Sequence, residues 1–365
     1  MAEAAQEINC GNCGERYSLP VSAAKKEKLC RNCIQPLVRS KSKRGLKTAG
    51  DLVASNATIK LAMSLTPQTI KLLDAAEEIR SQPDAAEAAF MARQLVQCTL
   101  PHTNPGNVPV WTRTNGNLTL GIQPGYDIKA GKSIGYPYGS IPRLLLFWIT
   151  TEAVKSKNRR LELGKSLSAF MREIGLDPNT GRGKRGDAPR LREQMRRLFG
   201  SKISFEQELH DGDRQGEGYL DMLIAPRREL WWDPHHPNQD TLWGSWLELG
   251  EHFYKAIIES PVPVDLRALR ALKRSPLALD LYSWATYRAF TVTKKGRAQF
   301  IPWAGLQAQI GTDYAHKQNF RRKARAALRK VQAVYPGLVL TYEQDGGLTI
   351  HPGRPAIVPR LPKRS

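Results

Sequence analysis

Lys317-Gln-Asn-Phe-Arg-Arg-Lys-Ala-Arg-Ala-Ala-Leu-Arg-Lys-Val-Gln-Ala-Val-Tyr335 is the stretch on which the reading of this chain turns. Lys317, Arg321, Arg325 and Arg329 recur every four residues, with Arg322 beside them. In a helix that spacing places the cations along one side. Phe320, Ala324, Ala327, Leu328, Val331 and Val334 fall on the other, which predicts a helix that packs on a core and turns its guanidinium groups outward. A charged helical face is often only a solvated surface. Here, however, no Asp or Glu stands between Tyr314 and Tyr342, and the whole chain carries 55 Lys plus Arg against 34 Asp plus Glu, a formal net charge of +21. The complement of such a stripe is a polyanion, and binding of that kind weakens steeply with salt because each neutralised phosphate releases counterions.

The surroundings of the stripe supply its context. Leu277 to Ala289 reads as a helix, Gln299 to Pro302 as a strand, and Trp303 to Ile310 as a helix closed by Gly311. Beyond the stripe, Leu338 to Tyr342 and Leu348 to His351 form a hairpin around Glu343-Gln-Asp-Gly-Gly347. Helix, strand, helix, basic helix, hairpin is the order of a winged helix. The same order occurs earlier. Arg143 to Lys155 reads as a helix, Arg160 to Gly164 as a strand, and Ser166 as the cap of a helix through Ile174 that Gly175 ends. Gly181-Arg-Gly-Lys-Arg-Gly186 reads equally as a phosphate-touching loop or a flexible linker. A helix capped by Asp187 then runs to Phe199, with Leu191, Met195 and Leu198 on one side, Arg192 and Arg196 on another, and Arg190 and Arg197 flanking. Ser201 to His210 and Gly218 to Trp232 are extended, around the turn-forming Asp211 to Gly216. The order is duplicated with little residue identity.

Other segments are less specific. Two helices are expected between Pro67 and Gln97, broken near Ser81-Gln-Pro83, and Trp111 to Ile122 has strand character without an evident partner. Leu247 to Ile258 fits a strand or a helix. Arg39 to Lys47 is polar and basic, without an apolar period, and reads as a linker. Cys98 reads as an inert buried side chain.

The remaining four of the five cysteines stand at the amino terminus as Cys10-Gly-Asn-Cys13 and Cys30-Arg-Asn-Cys33. Two residues between paired cysteines let both thiolates reach one ion from a tight turn, and the 16 residues between the pairs suffice for a hairpin to bring the second turn round. Cys10, Cys13, Cys30 and Cys33 are therefore candidate ligands of a structural zinc ion, Zn2+; a redox dithiol pair is the alternative. Met1 to Asn9 carries Glu3 and Glu7 and no apolar core, so it is no secretory signal, and the most apolar run, Leu144 to Thr151, is too short to span a bilayer. These features predict a soluble, cytoplasmic protein.

The 365 residues suffice for two or three domains. The expected fold class is α+β, two tandem winged-helix domains preceded by a small zinc-ribbon-like module and a helical segment. The expected partition is a four-cysteine module over 1–38, a basic linker over 39–66, a helical and strand extension over 67–133, winged-helix domains over 134–240 and 241–353, and a basic, proline-rich tail over 354–365.

Three long stretches, Gly135-Tyr-Pro-Tyr-Gly-Ser-Ile-Pro-Arg-Leu-Leu-Leu-Phe-Trp148, Leu163-Gly-Lys-Ser-Leu-Ser-Ala-Phe-Met171 and Arg190-Leu-Arg-Glu-Gln-Met-Arg-Arg-Leu-Phe199, resemble the plasmid RepA replication-initiator family. So do Lys273-Arg-Ser-Pro-Leu-Ala-Leu-Asp-Leu-Tyr282 and Ile301-Pro-Trp303. The resemblance covers Ile134 to Pro352; the four-cysteine module is not a usual part of the family pattern. It implies a cytoplasmic protein that binds repeated duplex sites, iterons, at a plasmid origin, opens DNA locally and recruits the host initiator and helicase. It also implies dimers that repress and monomers that initiate. The family's recognition helices match Asp187 to Phe199 and Lys317 to Val334. The candidate DNA contacts are Arg190, Arg192, Arg196 and Arg197 in the first, and Lys317, Arg321, Arg322, Arg325 and Arg329 in the second. Arginine reads guanine bidentately or clamps phosphate, and the sequence leaves both roles open at each position.

Catalytic chemistry is not expected. A nicking enzyme needs a nucleophilic tyrosine and a metal held by two histidines one residue apart, whereas His235 and His236 are adjacent between prolines. Gly125-Tyr-Asp-Ile-Lys-Ala-Gly-Lys-Ser133 has one residue too many for a phosphate-binding loop and reads as plain loop. Trp231, Trp232, Trp243 and Trp246 suit core or interface packing better than stacking on unpaired bases. A sequence-specific transcriptional regulator with two winged-helix readers is the alternative function.

Overall fold

The computed structural model describes residues 5–9, 16–20, 66–180, 186–231, 244–311, 314, 316–343 and 346–357. The four zinc-ligand candidates, the linker over Arg39 to Lys47, loop residues 181–185, the His235-His236 pair, Trp232, Trp243 and residues 358–365 lie outside them. The chain divides into two compact units, Met1–Lys71 and Leu72–Ser365. In the first, β1 (Ala5–Asn9) pairs antiparallel with β2 (Arg16–Pro20), Asn9 opposite Arg16, so the two strands flank the segment that carries Cys10 and Cys13.

Helix α1 (Pro67–Ser81) buries Leu72, Ala76 and Ile79, a spacing of four and three that makes one face. The second helix expected before Gln97 is half strand and half helix. β3 (Ala88–Ala92) pairs with Pro261–Asp265, Ala92 opposite Pro261, and only α2 (Arg93–Gln97) is helical. Alanine-rich sequence favours helix by only about 0.5 kcal/mol per residue over a β-branched one. Pairing of the backbone with burial of Ala89 and Met91 overrides that preference.

β4 (Trp111–Asn115) and β5 (Leu118–Gln123) form the hairpin foreshadowed by Trp111 to Ile122. The stretch expected to be loop is a second hairpin, β6 (Gly125–Asp127) with β7 (Lys132–Gly135). Helix α3 (Ser140–Ser156) is buried from Ile141 to Thr151 on all sides and forms the centre of the first winged segment. β8 (Arg160–Glu162) and α4 (Leu167–Glu173) follow, the Ser166 Oγ accepting from the Ala169 N–H at 3.2 Å as the cap expected. Helix α5 (Asp187–Gly200) has Gly186 at the cap position, so Asp187 is its first residue, not its cap. β9 (Lys202–Asp211) and β10 (Arg214–Leu223) make a long hairpin, and β11 (Arg227–Glu229) follows in a separate sheet.

The ambiguous Leu247 to Ile258 is both things in turn: β12 (Trp246–Glu248) and α6 (Glu251–Glu259). After β13 (Pro261–Asp265) come α7 (Leu266–Leu272), capped by Asp265, and α8 (Pro276–Lys295), capped by Ser275 and closed by Gly296 at φ 67°. β14 (Gln299–Pro302), α9 (Trp303–Ile310), α10 (Lys317–Val334), β15 (Val339–Tyr342) and β16 (Gly347–His351) complete the second winged segment.

The architecture is α+β, and both segments keep the winged-helix order of elements. Their sheets differ. In the second, the order β14-β16-β15 joins the first strand to the wing. In the first, β9 and β10 extend a four-stranded sheet of order β10-β9-β5-β4, and β8 pairs with β12 in the sheet β11-β12-β8. One continuous core runs through both segments, from Leu145 and Phe170 to Trp284 and Phe320. Gly311 is fitted to that core, since a Cβ there would collide with the Phe320 ring.

Candidate nucleic-acid interface

All six apolar residues assigned to the inner face of α10, Phe320, Ala324, Ala327, Leu328, Val331 and Val334, are buried. The cations do not share one environment. Lys317, Arg322 and Arg329 are exposed, whereas Arg321 and Arg325 are half-buried. At 3.6 residues per turn each four-residue step drifts about 40° round the axis. The series that starts at Lys317 therefore winds past the margin of the core, and Arg322 and Arg329 stand opposite the buried face.

Arg325 is built into the winged segment. Its guanidinium lies 5.4 Å from the Trp303 ring centre and 5.7 Å from that of Tyr342. Those two rings are stacked, 6.4 Å apart and within 5° of parallel. Its Nη2 donates to the Glu343 carbonyl at 2.9 Å. Arg325 thus ties α10 to the start of α9 and the end of β15. Burial pushes the Tyr342 hydroxyl above its usual range, opposed by Arg329 and Arg325. Arg322 Nη2 donates to Asn319 Oδ1 at 3.2 Å, and Lys323, exposed and not among the expected contacts, has its ammonium 5.1 Å from the Tyr314 ring centre.

The first set of arginines meets a different setting. The β6–β7 hairpin packs along α5, with Gly125 so close to Gly200 that a Cβ would run into its backbone. Arg196 Nη2 pairs with Asp127 Oδ2 at 2.8 Å. Asp127 Oδ1 accepts from the Ala130 N–H at 3.0 Å, and these contacts, the Ala130 bond foremost, hold the carboxyl below its usual range although it faces solvent. Arg197 pairs with Glu193, donates to the Tyr136 carbonyl at 3.1 Å and lies 5.2 Å from the Tyr138 ring centre. Gln194 Oε1 accepts from the Tyr138 N–H at 2.9 Å. The Gly135-Tyr-Pro-Tyr stretch therefore docks on α5. Arg190 is exposed beside Asp187 at 3.4 Å, and Arg192 is half-buried against the hairpin, with Lys132, Ser133 and Pro189 in the same groove.

Neither wing is basic. The outer part of β9–β10 carries Glu206, Glu208, Asp211, Asp213 and Glu217 against Arg214 alone, and Val339 to His351 contains no Lys or Arg. The cations are on α5, α10 and the β6–β7 hairpin.

A feature that sequence reasoning missed joins the two winged segments. Arg143 on α3 donates to Asp280 on α8 through Nε at 2.6 Å and Nη2 at 2.7 Å, and His102 Nε2 lies 2.8 Å from the same carboxylate. All three are buried. Arg143 also donates to the carbonyls of Leu100, Pro101 and Gly139. Burial opposes ionisation of Asp280, yet Arg143 and His102 hold its carboxyl well below the usual carboxylate range; burial pushes His102 down. Arg143 and Asp280 stand 137 positions apart, so only their place within two separate resembling stretches hinted at a role.

Trp246 is half-buried, with Arg160 4.1 Å from its ring centre, whereas Trp231 is exposed, so the packing expected of both holds for Trp246 alone; both donate their ring N–H to Glu229. Cys98 is fully buried, its thiol pushed up to about 12, which makes it inert. Among the described residues no group of three or more His, Cys, Asp or Glu side chains is placed to hold a metal, and no helix is long and apolar enough to cross a membrane.

No curated protein matches this chain. A crystal structure of SeMet derivatives of domains 2 and 3 of RctB aligns with 70% of this chain and 94% of that one, at 11% identity and a TM-score of 0.43, which is too loose an overlap to carry an argument. Residues 136–305, which run from the docked Tyr136 through α3, α5 and α8 into α9, match the family described as plasmid encoded RepA protein, and over that stretch the chain is similar to a plasmid replication-initiator family.

Proposed function

We propose that this chain is a non-enzymatic plasmid replication initiator that binds repeated duplex sites at its origin, opens the adjacent DNA and recruits host replication proteins. The observation that carries the reading is the second winged segment, in which the β14-β16-β15 sheet and α8 support a helix whose outward face bears Arg322, Arg329 and Lys330 with no acid on the helix. The match over residues 136–305 directs it to replication. Cys10, Cys13, Cys30 and Cys33 complete the proposal as a structural zinc site.

The test is footprinting of the DNA that neighbours the coding gene, with purified full-length protein across a salt series. Regularly spaced protected repeats beside an AT-rich segment are expected, with protection lost steeply as salt rises. One isolated palindrome would instead identify a transcriptional regulator, and absence of protection at every salt concentration would remove DNA binding altogether.

A further inference from the structure

We propose that the β6–β7 hairpin is a DNA-inserting wedge, with Ile128 at its tip pressing between base pairs beside the stretch of duplex that α5 faces. The proposal rests on the reading of this chain as a duplex-DNA binder. Ile128 is 90% exposed, more than any other large apolar side chain among the described residues, and Tyr126 beside it is 63% exposed. A hairpin turn favours Gly, Asn or Asp, and a β-branched residue there contributes nothing to the turn. Folding leaves its apolar surface in water.

The tip is held, not loose. One oxygen of Asp127 accepts the Ala130 N–H and closes the turn, while the other pairs with Arg196 and fixes the turn to α5. Gly131 takes the positive φ of 62° that the bend requires. Lys129 follows Ile128 directly, and Lys132 on the hairpin shares a groove with Arg192 of α5. The acids nearby, Asp127 and Glu193, are paired with Arg196 and Arg197.

An exposed isoleucine on a hairpin that also carries Lys129 and Lys132 has as its complement an apolar interior bordered by phosphates, which is a stack of base pairs. Apolar side chains inserted at base steps unstack them and kink the duplex. The long wing of the same segment is acidic and cannot take that place.

The experiment uses the full chain and a labelled duplex of randomised sequence, with affinity measured across a salt series and thymine oxidation by permanganate as the reporter of unstacking. Ile128→Ala is expected to bind about tenfold more weakly. Its log-affinity against log-salt slope should match the unmodified chain, because an apolar contact releases no counterions. Protein-induced thymine oxidation should disappear in Ile128→Ala and return in Ile128→Met. Lys129→Ala should instead lower the slope by about 0.9. Ile128 is exposed, so an unchanged circular dichroism spectrum certifies the fold. Unmodified affinity and oxidation in Ile128→Ala, or no oxidation with the unmodified chain, would overturn the wedge. Tighter binding by Ile128→Ala or Asp127→Asn would overturn it too, and make the hairpin a cover over α5. Failure of the unmodified chain to bind the duplex at low salt is a separate result, which defeats the DNA-binding reading itself.

Discussion

Asp280 sets the largest single-residue effect expected in this molecule. Its carboxylate is shared by the Arg143 guanidinium and the His102 ring in a site closed to water. Removing one partner of a buried ion pair leaves the other charge uncompensated, at a cost of about 3 to 5 kcal/mol. Asp280→Asn should therefore lower the free energy of unfolding by that much, read from denaturant titration, and an unchanged value would show that Arg143 is satisfied by the carbonyls of Leu100, Pro101 and Gly139 alone. The pH dependence has a defined sign. Folding lowers the pKa of His102, so the folded state binds fewer protons, and the stability it allows is complete above the unfolded value of about 6.5 and declines as pH falls below it. Asp280 acts in the same direction at lower pH, below the unfolded value of about 3.9. Thermal unfolding should show a stability loss between pH 7 and pH 5 that His102→Gln reduces, since Gln keeps a donor to Asp280 and does not titrate. None of this could be read from spacing, because a buried pairing between distant residues leaves no local period in a sequence.

At the scale of elements, α10 separates what periodicity carries from what it does not. The six buried apolar positions follow from the pattern alone, since only one face of that helix can meet a core. A rule of fours does not tell these cations apart: each step turns further from the buried face, and Arg325 is half-buried because the Trp303 and Tyr342 rings lie over it. The consequence is measurable. Arg322→Ala with Arg329→Ala should reduce the salt slope of DNA binding by about 1.8 if both meet phosphate, and leave the fold intact. Arg325→Ala should cost stability, about 1 to 2 kcal/mol, through loss of its stacking on Trp303 and Tyr342 and its bond to Glu343, and an unaltered melting temperature would remove its anchoring role. The β6–β7 hairpin and β3 were misread for a related reason. Short strands carry little periodicity, and both are stabilised by partners elsewhere in the chain: α5 for the hairpin, β13 for β3.

At the scale of the molecule, the two winged segments share one core within Leu72–Ser365, and the four-cysteine stretch belongs to Met1–Lys71. Cys10→Ser should therefore lower the zinc content of the purified protein while the main unfolding transition stays where it is. Loss of the main transition in that variant would mean that the ligands stabilise the larger unit.

The sequence by itself determined the net charge of the chain, the order of elements in both winged segments, the cap at Ser166 and the inner face of α10, because each is written in local spacing and composition. Only the tertiary structure decided that Asp280, Arg143 and His102 meet, that Arg325 faces inward onto Trp303, that the first wing joins β5 rather than β8, and that a hairpin lies against α5. Those outcomes depend on which distant surfaces exclude water together, and neither period nor composition encodes that choice.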